Sequence, residues 1–485
     1  MVFDSAESQG KPSSYVRDAA MTEKNDSAGV SSDEDADLKR LGLQSPTKRD
    51  IGLLEIIGLG WNICNSWSAI AVTLSISIAS GGPVTLLYGI ILIFVLGGAC
   101  ALSMAEIASV YPTAGGQYHW TSILAPERSS RVLSYCCGSV NFLGWIANGA
   151  GFVIQMPVMV LSLASYLDPR YIPETWHIFL LFQAFNFTFT AYNIFLMKRT
   201  AWIHDLGFFI SLTAFFVITV TCLARSNPKQ VSSFVWTTFF NDSGWSSKGI
   251  VFFTGLLNPN FIYSGLDGAI HLAEECNHAA SSIPKALIST VTIGFVSSFV
   301  FSVAMLYSFR DIEPVLQSPR LTWSFARDDA IVFSSFLGNI SPRFGVPVNA
   351  LIFNSALIFI LGCVFLGSST AFNALVATGL ILQQVSFSFP AALALYHRFK
   401  GAAAFERVLP RCKFRLPQPV GVVANVLTIA LGLIALIFYD FPVVMPVTAS
   451  NMRDYASVVI GVMGLFAIGN WFGYANRRYK GPRLD

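Results

Sequence analysis

Charge is what this sequence lacks. Only 12% of its 485 residues are Asp, Glu, Lys or Arg, against roughly 25% in an ordinary soluble protein. The deficit is deeper than the average, because residues 1–50 alone hold 7 of the 31 Lys/Arg and 10 of the 28 Asp/Glu. What remains is too little to clothe soluble domains of that size. The eight cysteines (Cys64, Cys100, Cys136, Cys137, Cys222, Cys276, Cys363 and Cys412) have neither zinc-binding nor disulfide-framework spacing, and most sit in apolar stretches as small hydrophobes. No Gly-rich phosphate loop, nucleophile elbow or metal-spaced cluster is present, so an ATP-driven pump is unsupported and no cofactor or metal is implied. The chain opens polar and stays so to Asp50, without the pattern of a cleavable signal peptide.

What the sequence has instead is apolar length: 53% of its residues are hydrophobic. A hydrocarbon core of about 30 Å needs about 20 residues of helix. Suitable runs lie near 53–78, 83–108, 132–160, 177–196, 202–224, 249–273, 286–309, 348–367, 370–396, 418–439 and 455–475. These eleven runs predict an all-α polytopic membrane protein, since lipid offers unpaired backbone groups no partner and the runs are too long for barrel strands. Residues 1–50, rich in Ser, Asp, Glu and Lys, cannot bury enough apolar surface to order themselves and read as a disordered cytosolic tail.

The net charge of +3 is no nucleic-acid footprint, because the excess cations lie in short loops between apolar runs. Lys198 and Arg199, the loop from Arg398 to Arg415, and Arg477 to Arg483 mark the cytosolic side. The sequon Asn241-Asp242-Ser243 falls in a segment expected outside, where Asn241 could be glycosylated; Asn186-Phe187-Thr188 lies inside a span and is read as chance. One count fails. With the tail inside, nine crossings leave Arg398–Arg415 on the outer face, against the positive-inside bias. The segment Arg310–Pro347 offers only about 13 uncharged residues in a row, too few for a crossing. The chain is one helix short.

Two spans carry residues that a lipid-facing helix avoids. The first contains Gly58-Leu59-Gly60-Trp61-Asn62-Ile63-Cys64-Asn65-Ser66-Trp67, and the sixth Gly255-Leu256-Leu257-Asn258-Pro259-Asn260-Phe261-Ile262-Tyr263-Ser264-Gly265-Leu266-Asp267-Gly268. Small residues allow tight helix packing. Paired interruptions at corresponding places in two halves also point to broken helices around a site near the bilayer midplane. Asp267 supports the second reading, since a carboxylate at a helix centre costs about 2.5–3.5 kcal/mol unless it meets a polar cavity or partner.

The stretch Gly81–Pro112, with Ala105-Glu106 and then Pro112, resembles the amino acid permease signature of the amino acid–polyamine–organocation superfamily. Asn65-Ser66-Trp67 and the run Asp267-Gly268-Ala269-Ile270-His271-Leu272-Ala273-Glu274-Glu275, followed by Pro284, are similar to its fungal amino acid/choline/GABA permease branch. The resemblance covers about residues 50–475. It implies a five-plus-five inverted repeat with two added helices: first repeat 51–225, second repeat 247–398, added helices 418–475, and a cytosolic tail 476–485. Twelve spans are implied, and the missing eighth falls near 318–320, where the chain jumps to a segment resembling the cytosolic one that follows it. The implied activity is secondary transport of an amino acid, GABA or choline by alternating access, coupled to protons and embedded in the plasma or vacuolar membrane. A non-transporting nutrient sensor or inactive paralogue is the alternative.

Carried over by motif, Asn65 and Ser66 meet a substrate carboxylate at the positive end of a half-helix. Ser264 and Gly265 hold the amine end, with Phe261 or Tyr263 closing over it. Asp267 pairs with a cationic nitrogen, cycles protons, or caps the broken helix as a structural residue. Trp61, Trp67 and Tyr263 supply cation–π contacts to a quaternary amine, or simply pack. Glu106 forms a hinge or gate ion pair, or fixes helix depth at the interface. His271, Glu274 and Glu275 suit an inner gate or proton exit.

Overall fold

Apolar runs of this length have one solution in lipid, and the chain adopts it at each expected position. The computed structural model describes residues 51–481 apart from 169, 197–201, 242, 310–347, 368, 411–412, 443–444, 446–454 and 480. Lys198, Arg199, the 1–50 tail and the expected gap near 318–320 therefore lie outside the described residues. Among these residues nine helices are long and apolar enough to cross a membrane. The first and sixth spans are not among the nine, because each is wound in shorter pieces.

The first span is α1 (Leu53–Cys64) and α2 (Ser66–Ala79). Then come α3 (Gly82–Val110), a short α4 (Gln117–Leu124), the long α5 (Glu127–Leu167), α6 (Thr175–Phe195), α7 (Trp202–Arg225) and a turn of helix, α8 (Ser232–Thr237). The sixth span winds as α9 (Lys248–Gly255) and α10 (Leu257–Asn260), then tightens into 3₁₀ turns at Phe261–Tyr263 and Leu266–Leu272. After it follow α11 (Ala279–Ser308), α12 (Val348–Gly367), α13 (Ser369–Phe399), α14 (Ala402–Val408), α15 (Gln418–Phe438) and α16 (Tyr455–Asn470). The third span is longer than its 132–160 expectation, because Glu127 to Arg131 extend the helix in polar residues that hydropathy alone discounts.

The packing brings the two broken spans together. α3 lies along α11, α1 packs on α11 and on the 3₁₀ turn after the sixth break, and α5 packs on α13. Apolar clusters flank the breaks. Ile154 of α5, Phe182 of α6, Phe365 of α12 and Phe372 of α13 form one, and Leu256 and Leu257 join Leu380, Ile381, Ala435 and Tyr439 in another.

Close approach at the sixth span depends on a missing side chain. A Cβ at Gly97 of α3 would stand 2.8 Å from Tyr263 Cε2, so the tyrosine ring lies flush on the α3 backbone. The substitution Gly97→Leu is expected to destabilise the protein by about 1–3 kcal/mol through overpacking, whereas Gly461→Leu, where nothing lies within 4 Å, should leave stability unchanged. Thermal unfolding of the detergent-solubilised variants checks the contrast.

Candidate functional site

The first break is one residue wide. Asn65 adopts the left-handed conformation (φ 35, ψ 56), which asparagine tolerates better than most residues because its short side chain bonds locally. Its N–H still donates to Trp61 O at 2.7 Å, ending α1, and α2 begins at Ser66 with its first N–H groups free of helical acceptors. The Asn65 side chain is braced rather than free: Ser211 Oγ of α7 donates to Asn65 Oδ1 at 3.0 Å, and Trp67 Nε1 donates to Ser211 Oγ at 3.0 Å. Ser66 reaches across to the other break, its Oγ donating to Ile262 O at 2.6 Å. That carbonyl is one the broken sixth span leaves without a helical partner.

At the sixth break Ser264 is extended and Gly265 has φ +84, a left-handed value that favours glycine. The site is tight as well: a Cβ on Gly265 would meet Ile63 Cγ2 at 2.7 Å. Gly265 N donates to Gln383 Oε1 of α13 at 3.1 Å. Ser264 Oγ is buried at this kink with no partner, as are Trp61 Nε1 and Thr290 Oγ1 beside α1.

Asp267, two residues beyond the glycine, is 0% exposed. Its Oδ2 accepts from Gln117 Nε2 at 2.8 Å and from Trp145 Nε1 at 3.1 Å; its Oδ1 accepts from Gln383 Nε2 at 2.9 Å. A backbone donor fixes the orientation of the Gln383 amide. Gln117 Oε1 accepts from Asn141 Nδ2 (3.1 Å), and Gln383 Oε1 accepts from Gly265 N and from Asn148 Nδ2 (3.3 Å). The fourth neighbour of the carboxylate is His271 Nε2, 3.4 Å from Oδ2.

One peptide next to this cluster is held on both sides. Ala114, in the loop between α3 and α4, accepts from His271 Nδ1 at 2.7 Å through its carbonyl and donates from its N–H to Glu274 Oε1 at 3.0 Å. On α4, burial pushes His119 down to about 4 and Tyr118 up to about 12, so both are neutral near pH 7.

The structure thus brings Asn65, Ser66, Ser264, Gly265, Asp267, His271 and Glu274 into two adjoining breaks and the loop beneath them. Other residues expected at the site have packing partners. Tyr263 Oη donates to Val291 O at 2.9 Å and Trp67 packs at a tilt against Phe215 and Phe301. Trp61 meets Phe208 edge-on, and Phe261 is half-buried beside the Leu256 cluster. The aromatic ring actually over the break is Trp145, whose Cη2 would lie 3.5 Å from a Cβ on Gly265. Asn241 is exposed, its Nδ2 donating to Trp245 O at 2.9 Å; Asn186 is buried in α6 and donates to Ser355 O.

Known proteins share this organisation of sequence. The profile of the family described as "Amino acid permease" matches residues 51–319 and 312–465. The chain belongs to the amino acid permease family. It is a multi-pass membrane permease, not an enzyme. A choline transporter of Saccharomyces cerevisiae is 32% identical across 90% of this chain and 82% of its own length. A swainsonine transporter, swnT, of Arthroderma benhamiae is 30% identical across 90% of this chain and 93% of its own. A 7-keto 8-aminopelargonic acid transporter of Saccharomyces cerevisiae is 24% identical, covering 84% and 89%.

In this permease Glu106 has a partner that its motif does not reveal. It forms a buried ion pair with Arg398, in the last turn of α13. Glu106 Oε1 accepts from Leu416 N at 3.1 Å, and Arg398 also donates to Gln418 Oε1 at 2.9 Å while stacking 4.2 Å from the Phe405 centroid. The pair ties α3 to α13 and to the segment leading into α15. Removing one member leaves a buried charge uncompensated, so Glu106→Ala or Arg398→Ala should destabilise by about 3–5 kcal/mol. The double variant Glu106→Leu/Arg398→Met is expected to recover much of that loss. Denaturation midpoints in detergent measure both.

Proposed function

We propose that this permease is a proton-coupled secondary carrier for an amine-bearing solute, with choline, GABA and amino acids as the substrate class, and that the solute binds between the two breaks. The observation that carries this reading is the set of buried polar atoms at the breaks left without protein partners: Ser264 Oγ, Trp61 Nε1 and Thr290 Oγ1. An unsatisfied buried group costs about 1–3 kcal/mol, and a hydrogen-bonding solute relieves that cost. The first-turn N–H groups of α2 favour a carboxylate or hydroxyl oxygen. The Ser264 carbonyl, where the chain leaves the helix, together with the Trp145 ring over the break, suits the ammonium end.

Asp267 plays a different part, since protein donors already bond both of its oxygens. Choline leads the substrate class because the choline transporter is 32% identical across most of the chain. The repeat organisation, 51–225 and 247–398 followed by 418–475, places one broken span at the head of each half, as alternating access requires. The plasma membrane suits an uptake carrier. A non-transporting sensor or inactive paralogue is the second reading, favoured by the two-part profile match that meets at 312–319, where the eighth span is missing from the count.

An uptake panel of labelled choline, GABA and amino acids in permease-deficient cells separates the two. Accumulation of one of them is expected; binding without accumulation supports the sensor. For the solute transported, Ser264→Ala should raise KM about tenfold, the loss of one hydrogen bond to a charged or polar ligand, with surface abundance unchanged. A KM unaffected by this change removes Ser264 from the site.

A further inference from the structure

The hydrogen-bond geometry around Asp267 counts protons. A carboxylate has about four lone-pair positions. Gln117 Nε2 and Trp145 Nε1 take the two on Oδ2, and Gln383 Nε2 takes one on Oδ1. His271 Nε2 approaches Oδ2 as a third and longer contact. On the other side of that ring, Nδ1 lies 2.7 Å from Ala114 O. A carbonyl only accepts, so Nδ1 carries a hydrogen. For Nε2 to donate to Asp267 as well, the ring must hold both protons. Imidazolium and carboxylate then form a neutral pair, and Ala114 is held through His271.

Remove one proton and the arrangement fails. Neutral imidazole has a single N–H. If it stays on Nδ1, the Nε2 lone pair points at a carboxylate lone pair; if it moves to Nε2, Ala114 O loses its donor. The His271–Asp267 contact is also the longest of the four around the carboxylate, at 3.4 Å. His271 is 31% exposed while Asp267 is not, so the proton has a route to water from the imidazole side. Ala114 and His271 both lie where the cation bias puts the cytosol.

We infer that His271 and Asp267 form a one-proton latch: while the pair is protonated it fastens the Ala114 loop to the sixth span, and loss of the Nε2 proton to cytosolic water releases that loop. The proton leaves as hydronium, the pair goes from net charge zero to minus one, and no bond other than N–H is broken. The inference rests on the carrier reading for its use as the coupling step, in which a proton delivered inward opens the inner gate. The geometry of the latch itself is independent of which solute is carried.

Other ionisable groups face this cluster. Cys64 of α1 and Cys137 of α5 are buried thiols within electrostatic range of Asp267. Glu274 holds the Ala114 N–H, Tyr118 of α4 is in range of Glu274, and His119 and Glu275 flank the same loop. Among its described residues, α13 contributes the uncharged Gln383. Glu274 is thus the rival titrating group, because a protonated Glu274 also weakens its hold on Ala114.

Hydrogen exchange of the full chain in lipid nanodiscs, from about pH 5.5 to about pH 8, spans the histidine range. Exchange protection of residues 113–118, corrected for intrinsic rates, is expected to fall about tenfold per pH unit above the titration midpoint, the slope of a single linked proton. That slope should persist in Glu274→Gln and vanish in His271→Gln. Protection independent of pH in the unmutated chain overturns the latch, as does a slope abolished by Glu274→Gln and retained in His271→Gln. The unmutated chain alone decides the matter should a variant fail to fold. A titrating latch in a chain that accumulates no solute defeats the carrier reading but leaves the latch; uptake without a titrating latch does the reverse.

Discussion

A carboxylate withdrawn from water must have its charge answered where it sits, and in this permease the answer organises the site. Asp267 is fully buried in a span that would otherwise be apolar. Desolvation of an unpaired charge there is worth several kcal/mol, enough to forbid the fold unless donors converge on it. They come from four directions: α4 sends Gln117, α5 sends Trp145, α13 sends Gln383, and the sixth span turns back His271. Each of those elements is thereby fixed against the break. A hydrophobic residue at this position would relieve the desolvation and lose the convergence.

The same demand for partners explains why the breaks persist. A kink frees backbone groups, and freed groups in a dry interior are as costly as side chains left unpaired. Here the second break accepts from the first, through Ser66 Oγ and Ile262 O, and the amide after its kink is taken by Gln383. Gln383 serves the carboxylate with its nitrogen and the kink with its oxygen. One side chain answers both needs, joining Asp267 to the backbone of Gly265. The link is a contiguous hydrogen-bond chain.

The spans, the two interruptions and the isolated carboxylate were legible in the sequence, because each depends on local composition: apolar length, Gly and Asn in a helix interior, and a charge without neighbours. The donors were not. Gln117 lies 150 residues from Asp267 and Gln383 lies 116 away on the other side, and nothing local marks them as its partners. A partial signal existed in Asn141, Trp145 and Asn148, spaced four and three apart and so on one face of α5, polar residues in an apolar helix. Tyr263 and Trp67 drew attention as aromatic residues next to a break. Whether such a ring closes over a ligand or fills a gap is decided by what opposes it, here Gly97 and Gly294 for one and Phe215 with Phe301 for the other. Arg398 misled in the opposite sense. Sequence logic treats a cation after a span as a loop charge facing lipid headgroups, but this one is turned inward onto Glu106.

The span count bears on what this site needs. The family profile matches in two stretches that overlap at 312–319, in the region where the sequence count expects a further crossing; that region lies outside the described residues. Among the described residues, the groups bonded around Asp267 belong to α4, α5, α13 and the sixth span, and the first break is braced by α7. Proton chemistry needs only a side chain that gains and loses a hydrogen, whereas a sodium ion needs a shell of oxygens from several helices. Every side chain that the proposed His271–Asp267 latch requires lies among the described residues.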